Sequence, residues 1–179
     1  MFIDNLRMMD PVCAALRQAP PAQVLYISSD AVYADSDAPL TEASCAQPGS
    51  LHGAMHLTRE LMLAEAFRGP LCLLRPTLIY GAGDPHNGYG PNRFRRLARR
   101  GEPIVLFGEG EERRDHVHVD DVGELAARCA LHRSAGVLNA ATGSVASFRE
   151  IAEQVAKSAP APVAMRGSPR SEEHTSELQ

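Results

Sequence analysis

Two histidines four residues apart, His52 and His56, fall in a segment with a helical pattern, and a serine pair, Ser28-Ser29, closes a short apolar run. A spacing of four puts both imidazoles on one face of a helix. Imidazole titrates near neutrality, so either ring can take or give a proton without a helper cation. Two rings close together disfavour double protonation and leave one as a base. The pair could also ligate a metal, but no glutamate stands between the two and no third ligand is evident, so no metal site is expected. Ser29 carries a hydroxyl at the end of a strand-like run, able both to donate to and to accept from a substrate hydroxyl or carbonyl. Taken alone, it is better explained as a cap on the turn that leaves the strand.

A second group of candidates is basic. Arg93, Arg95, Arg96, Arg99 and Arg100 crowd one predicted helix, and Arg113 adjoins Arg114. A solvated helix face accounts for most of them. Asn92 opens that helix after Gly88-Tyr89-Gly90-Pro91. It reads as a cap or as a phosphate contact, because a helix N-terminus favours an anion.

The elements that must hold these groups follow from periodicity. Leu6, Met9, Cys13 and Leu16 recur at helical spacing from Asn5 to Arg17, interrupted by Pro11 and stopped by Pro20-Pro21. Val24 to Ile27 is a short apolar run of buried-strand type. A polar stretch, Asp35 to Ser50, separates it from a helix that Ser50 can cap and that runs to about Phe67. Its expected packing set is Leu51, Met55, Leu61, Met62 and Ala66. Leu71 to Leu74 supplies another buried strand, and the glycine-rich segment Tyr80 to Pro91 leads into the basic helix. Short strands are expected at Ile104 to Phe107, His116 to Val119 and Val137 to Ala140, with a helix capped by Asp120 running to about His132. Ser147-Phe148-Arg149-Glu150 is a capping box. Helices alternating with short apolar strands give an α/β layered fold with a parallel sheet.

Composition narrows the partners. The net charge of −4 gives no general basic footprint, so nucleic acid is not an expected partner. No apolar run approaches the ~20 residues of a membrane span, and the first ten residues do not read as a signal peptide. Cys13, Cys45, Cys72 and Cys129 are widely separated, with no C-x-x-C pair, which fits reduced thiols and a cytoplasmic location. Residues 170–179, RSEEHTSELQ, resemble a translated sequencing adapter and are set aside from fold reasoning.

Five segments in order carry a family resemblance: Ile27-Ser28-Ser29-Asp30-Ala31-Val32-Tyr33, the His52/His56 helix, Leu74-Arg75-Pro76-Thr77-Leu78-Ile79-Tyr80-Gly81, Gly101 to Gly110, and Arg114 to Val122. Together, over roughly Asn5 to Ala156, they resemble the extended short-chain dehydrogenase/reductases, the NAD-dependent epimerase/dehydratase family. The resemblance implies a partial Rossmann-like, doubly wound parallel sheet, lacking the half that grips the dinucleotide, plus a small α/β substrate-binding region. The implied boundaries are 1–80 for the Rossmann-like half, 81–160 for the substrate-binding region and 161–179 for a disordered or artefactual tail. The family's G-x-x-G-x-x-G turn is absent, so Met1 is expected to fall after the first four strands, leaving the Val24–Ile27 strand with an unpaired edge.

The resemblance also implies roles. Ser29 matches the catalytic Ser/Thr position, and His52 and His56 fall where the family has the tyrosine and lysine of Y-x-x-x-K. The tyrosine is the family's acid/base; the lysine lowers its pKa and holds the nicotinamide ribose. Thr77 lies where the chain passes the nicotinamide, and Arg114 matches an arginine on the substrate pyrophosphate. A guanidinium suits that contact because it binds phosphate oxygens bidentately. The implied cofactor is NAD or NADP and the implied substrate a sugar nucleotide, with a homodimer through the 50–67 helix. Three readings of the imidazole pair stay open: a replacement acid/base at His52, a site that binds NAD(P) without catalysis, and a different use such as metal binding. Asp30 matches the dehydratase branch, whereas Ala31 replaces its glutamate, which argues against that elimination chemistry. Tyr33 is expected to be a packing aromatic.

Overall fold

The structure, a computed structural model, describes residues 2–84, 88 and 90–169, so the adapter-like stretch 170–179 and Tyr89 lie outside the described residues. In chain order the first elements are α1 (Phe2–Arg7), α2 (Met9–Gln18), β1 (Val24–Ile27), a 3-10 turn at Asp30–Val32, α3 (Leu51–Ala66), β2 (Leu71–Pro76) and β3 (Leu78–Tyr80). There follow α4 (Pro91–Arg99), β4 (Ile104–Phe107), β5 (Arg113–His118), α5 (Val119–Leu131), β6 (Gly136–Ala140), β7 (Val145–Ser147), α6 (Phe148–Lys157) and β8 (Met165–Ser168). They form two compact units, one of Met1–Thr77 with Asp120–Ala140 and the other of Leu78–Val119 with Ala141–Gln179.

In the first unit a parallel sheet has the strand order β1-β2-β6. Ile27 pairs with Leu74 and Pro76 with Ala140, so the carboxyl ends of all three strands share one edge. Parallel neighbours need crossover connections, and α3 and α5 supply them. β1 is hydrogen-bonded on one side only among the described residues, and Ile27 there is 41% exposed. The single N-terminal helix expected from periodicity is two: Pro11 has no N–H for the Arg7 carbonyl and its ring would crowd that oxygen, so the helix breaks at Met8.

Ser50 caps α3 as expected, its Oγ accepting the Gly53 N–H at 3.1 Å. The packing face of α3 differs from the expected one. Leu51 and Leu61 are 73% and 63% exposed, whereas Gly53, Glu60, Leu63 and Ala66 are buried. Met9 and Cys13 of α2 meet Leu63 and Ala66 in the core of this unit. The helix is rotated so that a carboxylate faces the sheet, for a reason given below.

In the second unit β3, β5 and β7 form a mixed sheet, and β4 pairs in parallel with β8. Its core is Phe94, Ile104, Leu106, Phe107, Phe148 and Ala152, with the Phe94 and Phe148 rings edge to face at 6.4 Å. The capping box forms in both directions between Ser147 and Glu150. Two expectations are corrected here. Met165–Ser168, assigned to an unstructured tail, is strand β8, because β4 would otherwise leave its backbone groups unpaired. Asp120 is not a cap: α5 already begins at Val119 and Asp120 sits in its first turn. No helix among the described residues is long and apolar enough to cross a membrane.

Candidate functional site

Four of the six candidate residues, Ser29, His52, His56 and Thr77, belong to the first unit. Ser29 follows the carboxyl end of β1, and Thr77 follows the carboxyl end of β2 beside it. That edge is where open parallel sheets bind ligands. The Thr77 N–H donates to the Ala140 carbonyl at 3.0 Å, with its hydroxyl 3.4 Å from the same oxygen. Ser29 Oγ accepts the Ala31 N–H at 3.1 Å and donates across a long 3.3 Å contact to Asp30 Oδ1. The cap is therefore real. It leaves the hydroxyl half-exposed with acceptor capacity to spare.

α3 starts hard against that turn. A Cβ on Gly53 would lie 1.9 Å from the Ala31 carbonyl oxygen, so only glycine allows this approach. His52, one residue before, is exposed and stands close enough to Asp30 to feel its charge. Burial of part of the His52 ring lowers its pKa, the Asp30 carboxylate raises it, and the Arg59 guanidinium lowers it again, the net being downward. His56 is half-buried and meets His52 edge to face, ring centroids 4.7 Å apart. Burial first, then His52 and Arg59, press its pKa down to about 4 against a small opposing pull from Glu60. Its Nδ1 lies 3.4 Å from the Tyr26 hydroxyl.

Beneath this surface runs a network the sequence reading did not anticipate. Glu60 is 3% exposed and Arg75 5%. Arg75 Nε and Nη2 donate to Glu60 Oε1 and Oε2 at 2.9 and 2.5 Å, a bidentate pair. Ser28 Oγ donates to Glu60 Oε1 at 2.5 Å, tying the end of β1 to α3. Arg75 Nη1 donates to the Tyr33 hydroxyl at 2.8 Å, which donates in turn to Asn139 Oδ1 at 2.9 Å. The Arg75 guanidinium also lies over the Tyr33 ring, 4.9 Å from its centroid. Burial alone would depress Arg75; the bonds to Glu60 and Tyr33 outweigh it and hold its pKa up. A buried carboxylate needs such partners, and this is why α3 turns Glu60 rather than Leu61 inward. A signal existed: His52, His56 and Glu60 are spaced by four along one helix face.

Asn92 and Arg114 belong to the second unit. Asn92 does not cap α4, whose cap position is Gly90. It instead fixes the preceding loop, Oδ1 accepting the Gly81 N–H at 3.1 Å and Nδ2 donating to Asp84 Oδ2 at 3.0 Å. Arg114 is half-buried and paired with Glu112, Nε at 2.9 Å and Nη2 at 2.8 Å from Oε1. No group of three metal-competent side chains occurs among the described residues.

A parallel sheet β1-β2-β6 with crossover helices defines an α/β protein of Rossmann-like layout. The chain belongs to the NAD dependent epimerase/dehydratase family, whose sequence model matches residues 1–141. It is 37% identical over 84 residues to dTDP-L-rhamnose 4-epimerase of Burkholderia thailandensis, covering 44% of this chain and 23% of that protein. It is 32% identical over 97 residues to dTDP-4-dehydro-6-deoxy-D-allose reductase of Streptomyces bikiniensis, covering 51% and 29%. The solved structure of MoeE5 in complex with UDP-glucose and NAD matches with a TM-score of 0.79 at 27% identity, covering 97% of this chain and 64% of that one. The chain thus spans less than a third of the length of these two curated relatives.

The donor set at the edge suits the nicotinamide end of a dinucleotide in hydrogen-bonding capacity and departs from it in charge. His52, exposed, can meet a ribose or sugar hydroxyl; His56, neutral and next to Tyr26, does not offer the cation of a lysine.

Proposed function

We propose that this chain contributes the sugar-facing part of an NAD- or NADP-dependent enzyme acting on a sugar nucleotide, an epimerase, dehydratase or reductase, with Ser29 and His52 at the reacting hydroxyl. The observation that carries the reading is the close approach of α3 to the Ser29–Ala31 turn at Gly53. It supports a single site in which Ser29 hydrogen-bonds the sugar hydroxyl and the neutral His52 imidazole takes its proton. A bound NAD or NADP would supply hydride chemistry at the carbon that bears this hydroxyl. Family membership and the sugar-nucleotide relatives support the substrate class.

By the family resemblance, Arg114 and Asn92 are assigned to the substrate's diphosphate and Thr77 to the nicotinamide side. Exposed Leu61 on α3 supports pairing of two copies through that helix.

The test is direct. The whole protein is mixed with NAD and UDP- or dTDP-hexoses, and reduced nicotinamide and sugar products are followed. Turnover that falls on the order of 100- to 10,000-fold in H52N and S29A supports the assignment. A second reading, a non-catalytic NAD(P)-binding protein, is favoured by the neutral His56 where a lysine would hold the ribose. It wins if NAD stays bound, no sugar nucleotide is consumed, and only the His52→Tyr, His56→Lys double variant turns over.

A further inference from the structure

The proposed reaction leaves unused a phenol that lies against the imidazole pair. Tyr26 is in the middle of β1, two residues before Ser28, so both side chains project from the same face of the strand. That face meets α3 in two rungs one helical turn apart. Ser28 reaches Glu60, and Tyr26 reaches His56. The Glu60 rung is fixed by Arg75 from behind. The His56 rung has a cation at its side: the Arg59 guanidinium is near enough to Tyr26 and His56 to exert a lowering pull on the pKa of both. Arg59 is itself held in place, Nη2 donating to the Asn5 carbonyl at 3.0 Å and to Asn5 Oδ1 at 2.7 Å.

A phenol has one hydrogen to give, and the cation beside the ring disfavours a second proton on His56, so the phenol is assigned as the donor and Nδ1 of His56 as the acceptor. A neutral imidazole with Nδ1 accepting carries its hydrogen on Nε2. We propose that Tyr26 is a positioning residue of this site: through its hydroxyl, 3.4 Å from His56 Nδ1, it holds His56 as the Nε2–H tautomer and so fixes the ring against which His52 packs edge to face. The inference rests on the reading of His52 as the acid/base and adds what orients it.

The surroundings agree. The groups facing His56 are Tyr26 from β1 and His52, Arg59 and Glu60 from its own helix, and those facing His52 are Asp30, Arg59 and His56. Burial holds the Tyr26 phenol above its ordinary pKa and His56 below its own, so near neutrality the phenol keeps its hydrogen and the imidazole stays uncharged.

Nitrogen-15 NMR of the histidine-labelled 179-residue chain near pH 7 reads the tautomer, with the H56N variant identifying the His56 signals. The expected result is a single-tautomer pattern for His56, Nε2 protonated and Nδ1 bare, which collapses to an averaged pattern in Y26F. A protonated Nδ1 in the unmodified chain, averaged nitrogens there, or an unchanged pattern in Y26F overturns the proposal. The unmodified chain decides the first two outcomes even if Y26F fails to fold. The readout needs no substrate, so an absent reaction with a fixed tautomer sinks only the catalytic reading. Turnover with the wrong tautomer sinks only this one.

Discussion

Arg75 of β2 grips both carboxylate oxygens of Glu60 on α3, with side chains 6% and 3% exposed. A buried pair of this kind contributes little net stability against an apolar substitute, yet breaking it leaves one charge stranded out of water. Glu60 is also the acceptor for Ser28, the residue before Ser29, so the pair holds the end of β1 against the helix that carries both histidines.

Removing one partner is expected to cost much more than removing both. Glu60→Ala or Arg75→Ala should each destabilise by roughly 3–5 kcal/mol in urea unfolding. The double replacement Glu60→Leu with Arg75→Met should cost well under the sum of the two. Additive losses in that double-mutant cycle would show that the two side chains are not energetically coupled.

Gly53→Ala should destabilise, against the usual sign for a helix. Elsewhere in a helix the change gains about 1 kcal/mol, but here the new methyl meets the Ala31 carbonyl at 1.9 Å. A loss of about 2–4 kcal/mol is expected. Gly123→Ala in α5, with nothing within 4 Å of its added Cβ, is the matched control and should stabilise. Thermal unfolding of the two variants side by side checks the contrast, and equal shifts would contradict the packing at Gly53.

Stability should fall as the solution is acidified through the histidine range. The unfolded chain protonates His56 near 6.5, whereas the folded site resists until about 4. Between those values the unfolded state binds the extra proton, so this contribution is complete above pH 6.5 and lost by about pH 4. His52 and His116, also lowered mainly by burial, add to the same fall. After a discount for partial exposure, the His56 share is on the order of 2 kcal/mol. Urea midpoints across that window should slope less in H56N than in the unmodified chain; parallel slopes would refute the buried, uncharged imidazole.

Thiol reactivity should sort by burial. Cys45 is exposed, whereas Cys13, Cys72 and Cys129 are buried. Burial, then the neighbouring Cys129, pushes the Cys72 thiol up to about 11. A chromogenic disulfide reagent at mildly alkaline pH should therefore modify one thiol quickly and the other three only on unfolding. Rapid loss of two or more thiols would contradict the burial of Cys13, Cys72 and Cys129.

By itself the sequence determined what short-range chemistry controls. Val24–Ile27 and Ile104–Phe107 are strands at the bounds that their apolar runs mark. Ser50 and the Ser147/Glu150 box cap their helices, because a cap needs only residues three apart. The four-residue spacing of His52 and His56 placed both rings on one face, and the structure brings those rings into contact. Tertiary contact alone decided which face of α3 turns inward, since a helix with apolar residues on several sides has no single answer until Arg75 arrives from β2 and demands a carboxylate. It likewise drew Met165–Ser168 into a strand, because pairing with β4 lies 61 residues away in register and leaves no local trace. The Ser29 cap, with its partner Ala31 only two residues on, was legible in the sequence, whereas the bonds of Asn92 to Gly81 and Asp84 depend on how the loop before α4 folds, and spacing alone cannot show which hydrogen bond that side chain will choose.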